Sequence, residues 1–422
     1  MGRLTEIFSR IKGLSAQDSA RLEALALQLS QAQRTLLREL IVTGRAVFTD
    51  ETYPVSESLL PKSSFATIKP KVHTAETLAQ VASLIKPLKE TADAQRFTQF
   101  APDANEKLRT LIAPHILGLD AAKNAIVHQL VMPERFHILL LGDPGTGKTD
   151  LIRAACDLSP ISAFGLGSGA SKAGLSAIVI GKEIRPGILA QAHSGLCAID
   201  ELNLLKTEDR GALYNAMEKG FLSYDKGGAH VRLDADIRLL ATANPTGDRF
   251  SGDTLVSMRK QLPFDAALIS RFNLICIIRK PTGDALRNIN LHAMRATSKI
   301  LPANDLLFAK AYIATARALT PTMSAEIETK LVDAVMQVSE HEKEYLIEVT
   351  PRLATGLRAL ALAHARINLH EKCTMEDAQA AIEALQATLT DGLPKVVEKD
   401  KLSPSPRRKS PKSRSKSNTC KR

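Results

Sequence analysis

The stretch Gly142-Asp143-Pro144-Gly145-Thr146-Gly147-Lys148-Thr149 has the spacing G-x-x-x-x-G-K-T, and each residue type in it has a chemical task. The glycines let successive backbone N–H groups turn inward and cradle phosphate oxygens, Lys148 reaches the β- and γ-phosphates, and the Thr149 hydroxyl ligates Mg²⁺. The apolar run Ile138-Leu139-Leu140-Leu141 leads into the loop and the helix-compatible residues Asp150 to Asp157 lead out of it. A helix starting there would point the positive end of its dipole at the phosphates. The pattern predicts a strand, a phosphate loop and a helix that together hold ATP and Mg²⁺.

A phosphate-loop ATPase also needs a carboxylate at a strand end to hold the metal through water, and a second beside it to polarise the attacking water. The run Leu196-Cys197-Ala198-Ile199 ends in Asp200-Glu201, which supplies both. A third run, Leu239-Leu240-Ala241-Thr242-Ala243, ends in Asn244-Pro245; an Asn at that tip can hydrogen-bond the γ-phosphate or the water. Arg271, in Ile269-Ser270-Arg271-Phe272, precedes a last apolar run and is placed to reach a neighbouring subunit's nucleotide. An arginine supplied in trans stabilises transition-state charge and makes hydrolysis depend on assembly.

These residues need a scaffold. Short apolar runs recur at Ile161–Phe164, Leu196–Ile199, Ile237–Ala243 and Leu274–Ile278 with helix-compatible stretches between them, the pattern of a parallel sheet covered on both faces. The expectation is a doubly wound α/β domain over 101–280, followed by an all-helical domain over 281–390, where strand signals stop. Residues 1–100 are expected to be mainly helical. Helical spacing at Leu4, Ile7, Phe8 and Ile11 and again from Leu22 to Leu40 is followed by a Pro-containing connector (46–71) and a further helical stretch from His73 to Phe97. That region serves as a small packed cap or as a partner surface.

The 422 residues suffice for two or three domains, and 44% hydrophobic content is ordinary for a globular chain. No apolar run approaches the roughly 18 residues of a membrane span, and no export signal is evident at the N-terminus. Five scattered cysteines form no C-x-x-C pair, so neither a zinc ribbon nor a disulfide framework is expected. A reducing compartment fits, cytoplasmic (nucleoid-associated) or nuclear, and not secreted. Eight of the 56 basic residues lie in Ser403–Arg422, which holds no acidic residue, so the +11 net charge belongs mostly to the tail. The segment 391–422 is expected to be a disordered basic arm, which either attracts polyanions or merely solubilises the chain.

Taken in order, these segments resemble the AAA+ ATPases and, within them, the minichromosome maintenance (MCM) helicases. Besides the phosphate loop, Gly174-Leu175-Ser176-Ala177 resembles the family's G-L-T-A segment, and Met217-Glu218-Lys219-Gly220 to Asn244-Pro245 matches its hairpin and first sensor. Ile269 to Ile275 resembles the arginine-finger segment, and Thr350-Pro351-Arg352-Leu353 with Ala363-His364-Ala365-Arg366 resembles the second-sensor helix of the lid. The resemblance covers about 110–388. It implies ATP sites between protomers of a ring, a homo-hexamer or a ring with other MCM-like subunits, with Arg271 as the finger and Arg352 as a second sensor acting across the boundary. It also implies DNA in a central channel, touched by Lys226 on the hairpin Phe221 to Val231, whose apolar–polar alternation around a Lys-Gly-Gly tip is itself a hairpin signal.

The departures carry information too. The family's I-D-E-F-D-K-M signature is here Ile199-Asp200-Glu201-Leu202-Asn203-Leu204-Leu205, closer to the magnesium-chelatase group. Between Ala177 and Gly187 the family's second channel hairpin has little room. The oligonucleotide-fold domain and zinc site expected before the core, and a winged helix after it, have no counterpart in this sequence. The leading expectation is an MCM-like ATPase coupled to DNA translocation or unwinding. Beside it stand a chelatase- or chaperone-like remodeller of a protein partner and an accessory DNA-binding subunit without helicase activity.

Overall fold

The computed structural model describes residues 47–48, 72–73 and 95–393, apart from 170, 181–182, 227–228, 253, 296–302 and 347–349. The helices expected over 1–45, most of the 46–97 region and the basic tail lie outside the described residues. Val47–Phe48 and Val72–His73 form a short parallel pair.

Helices α1 (Ala104–Leu111) and α2 (Asp120–Val131) precede strand β1 (Ile138–Gly142), which runs into α3 (Lys148–Leu158) and β2 (Ser162–Leu166). The short helix α4 (Lys172–Leu175) is followed by β3 (Ala177–Ile180), β4 (Glu183–Pro186) and the one-turn α5 (Ile188–Gln191). Then come β5 (Leu196–Asp200), α6 (Gly211–Lys219), the hairpin β6 (Phe221–Lys226) and β7 (Ala229–Asp234), and β8 (Arg238–Ala243). Two short helices, α7 (Leu255–Lys260) and α8 (Ala266–Ile269), lead to β9 (Leu274–Ile278). Helices α9 (Gly283–Arg295), α10 (Ala303–Ala318), α11 (Ala325–Glu340), α12 (Pro351–Ile367) and α13 (Met375–Thr390) complete the described chain.

Five strands form one parallel sheet in the order β9-β1-β8-β5-β2. Because successive strand residues face opposite sides, the apolar runs divide between two cores. Ile138, Leu140, Ala198, Leu240, Leu274 and Cys276 face α2, α3 and the C-terminal helices. Leu139, Leu141, Ile199, Leu239, Ala241 and Ile275 face α6 and the short helices α7 and α8, through Met258 and Leu268. A strand apolar on both faces is what a doubly covered sheet demands, and the expected α/β unit with a helical lid is the observed one.

The parallel register sets the geometry of everything below. Gly142 lies level with Ile278, Ala243 with Leu141, and Leu166 with Asp200. The carboxyl ends of β1, β8 and β5, three adjacent strands, therefore share one edge. Asn273, just ahead of β9, sits at the opposite edge, where its N–H and that of Leu274 donate to His137 O.

The lid is tied to this unit by several contacts. Arg366 reaches Glu134 at 3.0 Å, and Arg259 Nη2, from α7, donates to Tyr345 O at 2.6 Å. Among the described residues no helix is long and apolar enough to cross a membrane.

Candidate nucleotide site and the opposite arginine face

The phosphate loop begins where β1 can no longer carry side chains. A Cβ on Gly142 would lie 1.9 Å from Ile278 O, so only glycine permits the close passage of β9. Gly145 and Gly147 adopt φ of 72° and 85°, left-handed values that glycine takes without strain. Helix α3 then opens at Lys148. Lys148 Nζ donates to Gly142 O at 2.8 Å and Asp143 O at 2.7 Å, arching back over the loop. Burial lowers its pKa to about 8, against the opposing pull of Asp143, Asp200 and Glu201.

Asp143 accepts the N–H groups of Phe250 at 3.0 Å and Lys280 at 2.8 Å. Its carboxylate is thus committed to fastening the loop to the ends of two other strands' connections. Thr146 Oγ1 donates to Asp143 O, while Pro144 and Gly145 are exposed.

The carboxylates sit on the next strand but one. Thr149 Oγ1 donates to Asp200 Oδ2 at 2.9 Å, and the Thr242 hydroxyl donates to Asp200 Oδ1. Thr242 Oγ1 also accepts the Glu201 N–H at 2.9 Å. Thr149 and Asp200 form a pair of hard oxygen donors, the set that suits Mg²⁺. Glu201 is exposed, with φ 53°, an αL conformation that costs a non-glycine residue of order 1–3 kcal/mol. A Cβ on Gly167 would lie 2.2 Å from Glu201 O, so this turn is packed from behind as well. Asn244 follows β8 between the other two strands, and its N–H donates to Asn203 Oδ1 at 3.1 Å. Thr242 carries no sequence signal of its own and Asn203 only a departure from the family signature, because their bracing roles exist only once β5 and β8 are neighbours.

Arg271 and Arg352 lie together at the other edge of the sheet. Arg271 Nη2 donates to Glu218 Oε2 at 2.7 Å, Nη1 donates to Ala267 O, and the guanidinium lies 4.9 Å from the Tyr214 ring centroid. Arg352 Nη1 donates to Ser270 O at 2.6 Å. A cavity of about 350 Å³ beside them is lined by Phe264, Phe272 and Leu346 with Arg259 and Arg352. The length of β9, roughly 15 Å at the strand rise, separates this pair from the phosphate loop of its own chain. Of the expected site residues, Lys148, Thr149, Asp200, Glu201 and Asn244 come together; Arg271 and Arg352 form a second group. Lys226 ends β6 opposite Ala229.

One expectation is corrected. The window judged too short for a second hairpin contains one: β3 and β4 pair antiparallel from Ala177↔Pro186 to Ile180↔Glu183. They interrupt the helical path between α4 and α5. Two four-residue strands and a tight turn need only about ten residues, so the window was sufficient.

Residues 93–291 match the MCM P-loop domain and residues 307–389 match the MCM AAA-lid domain. The chain is 29% identical over 325 residues to the minichromosome maintenance protein MCM of Saccharolobus solfataricus, covering 70% of this chain and 47% of that protein. It is 30% identical over 324 residues to the DNA replication licensing factor MCM4 of Drosophila melanogaster (69% and 37%). With the DNA replication licensing factor MCM7 of Arabidopsis thaliana it shares 29% over 318 residues (67% and 43%). The chain spans less than half the length of each of these relatives. With the P-loop and lid domains matched in succession over the same sheet and helices that carry the two residue groups, the chain belongs to the minichromosome maintenance family.

Proposed function

We propose that the chain is a ring-forming ATPase subunit that hydrolyses ATP between protomers and couples hydrolysis to binding, translocation or unwinding of DNA. One observation carries the inter-subunit part: Lys148 and Arg271 occupy opposite edges of one parallel sheet. A single chain cannot bring them to one phosphate without dismantling the sheet, whereas two copies in a ring can. The exposed Glu201 polarises the attacking water, and Lys148 neutralises phosphate charge once it swings off its two carbonyls. Asn244, fixed by Asn203, meets the γ-phosphate or the water. Thr149 and Asp200 would hold Mg²⁺, which would supply positive charge beside the transferring phosphoryl group. Arg271 and Arg352 of the neighbour complete the site.

The DNA part rests on the hairpin β6–β7, with Lys226 at the end of its first strand, and on the replication role in the names of the MCM4 and MCM7 relatives. A lysine there contacts the phosphate backbone without reading sequence. A nuclear or nucleoid location and a hexamer of like subunits follow from the same reading.

The test mixes two inactive variants. Lys148→Ala retains the arginine face and Arg271→Ala retains the loop, so a mixed ring contains interfaces with every group intact. ATP hydrolysis should reappear on mixing and rise with single-stranded DNA; absence of rescue defeats the shared site, and indifference to DNA defeats the coupling. Stimulation by a protein in place of DNA would favour a remodeller.

A further inference from the structure

We infer that Tyr214 and Glu218 are positioning residues for Arg271, and that through them the hairpin β6–β7 acts on the nucleotide of the neighbouring protomer. The inference rests on the reading of Arg271 as an arginine that serves the adjacent subunit.

The two residues stand four apart on α6, so they share one helix face. Glu218 takes Arg271 Nη2 at 2.7 Å and Tyr214 lies under the guanidinium. The Tyr214 hydroxyl donates to Asp265 Oδ2 at 3.3 Å. Asp265 is in turn the N-cap of α8, accepting the Leu268 N–H at 2.8 Å, and α8 supplies the Ala267 carbonyl that holds Nη1. Arg271 is therefore framed from two sides by helices that are themselves pinned to each other.

The frame does not use up the arginine. Two of its five N–H donors are engaged, and Nε is buried without an acceptor. Glu218 is the solvent-facing member, with 53% of its side chain exposed against 22% for Arg271. A phosphate oxygen arriving from outside meets a guanidinium already aimed, with donors to spare. The arginine's hydrogen bond and charge hold the Glu218 carboxyl below the usual range, so the clamp stays charged at neutral pH.

No slack separates the clamp from the hairpin. Helix α6 ends at Lys219, Gly220 caps it at φ 75°, and β6 begins at Phe221. A Cβ on Gly220 would come closest to Arg135 Nη1, the movable end of an exposed side chain, at 2.4 Å, so the joint is held by backbone bonds. The Ala235 N–H donates to Gly220 O, closing the hairpin base, and His137 Nε2 meets Met217 O at 3.1 Å. A load on the hairpin must tilt the last turn of α6, and with it Glu218.

The experiment isolates one interface. Arg271→Ala chains, which contribute only the loop, are mixed with Lys148→Ala chains, which contribute only the arginine face, and Glu218→Ala or Glu218→Gln is placed on the second chain alone. With ring size checked by light scattering, kcat should fall about tenfold or more, as expected for a misplaced catalytic group, with KM moved less than about threefold. Stimulation by single-stranded DNA should be lost, and Tyr214→Phe on the same chain should weaken it. A Glu218→Ala mixture with unchanged kcat and unchanged stimulation overturns this inference alone. A control mixture with intact Glu218 that fails to hydrolyse ATP overturns the reading of Arg271 and this inference with it. A control that hydrolyses ATP but ignores DNA overturns the hairpin route.

Discussion

The side-chain oxygen of Asn203 accepts the backbone N–H of Asn244 at 3.1 Å, so a residue just past β5 fixes the tip of the strand beside it. The bond asks only for an acceptor. An Asp there serves as well as an Asn, and the departure from the family's usual acidic signature is chemically conservative. Asn203→Ala should lower turnover about tenfold, within the range that a misplaced catalytic group costs, while nucleotide affinity measured without hydrolysis holds. Asn203→Asp should retain activity. Equal loss in both variants would show that the acceptor is not what matters.

Glu201 and Lys148 should separate chemistry from binding. Glu201→Gln removes the carboxylate proposed to polarise water but leaves the exposed αL turn and the Thr242 hydrogen bond to its N–H intact. Turnover should drop by about 10²–10⁴, the usual worth of a general base, with ATP still bound in an equilibrium assay. Lys148→Ala should lose binding itself. A Glu201→Gln protein that turns over normally would remove Glu201 from the chemistry.

Two glycines in the same loop should respond differently to one methyl group. At Gly142 the added Cβ lands 1.9 Å from the Ile278 carbonyl, which backbone cannot yield without separating β1 from β9. Gly142→Ala should cost about 3 kcal/mol or more, in the range of overpacked cores, and lower the thermal midpoint by roughly 6 °C or more. At Gly145 nothing lies within 4 Å and only the φ of 72° is at stake. Gly145→Ala should cost about 1 kcal/mol. Thermal melts of the two variants check the contrast.

The sheet and the phosphate loop were readable because each is local. A doubly buried strand is a continuous apolar run, and the loop's glycines, Lys148 and Thr149 sit within eight consecutive residues. The lid was readable as helix but not as a set of contacts. What the sequence hid depends on chain segments meeting. The commitment of Asp143 to Phe250 and Lys280, the use of Thr242 to brace Asp200 and Glu201, and the hold of Glu218 on Arg271 all join residues far apart in the chain. The β3–β4 hairpin was missed for a different reason. Ala-Ile-Val-Ile is a strand signal, but the length of the window by itself does not reveal that two four-residue strands fit within it.

His137 gives the remaining prediction, because its ring joins the two edges' scaffolding and can do so in one protonation state only. The Leu239 N–H donates to Nδ1 at 3.1 Å, so Nδ1 is bare, and Nε2–H donates to Met217 O at 3.1 Å. Burial lowers its pKa to about 4, assisted by the charges of Arg352 and Arg135. The folded pKa lies below the unfolded value of about 6.5, so between pH 6.5 and 4 the unfolded chain binds a proton that the folded chain refuses. Stability therefore falls as pH falls through that window, by about 1.4 kcal/mol per pH unit and on the order of 3 kcal/mol in all. His128, buried and lowered to about 3, adds a loss of the same sign. Chemical denaturation of the wild type from pH 7 to 5 should show this slope before most carboxylates titrate. His137→Asn, which keeps an acceptor but cannot take the proton, should start less stable yet lose about one proton's worth of the slope. Parallel curves for the two proteins would mean that His137 is not the group refusing the proton.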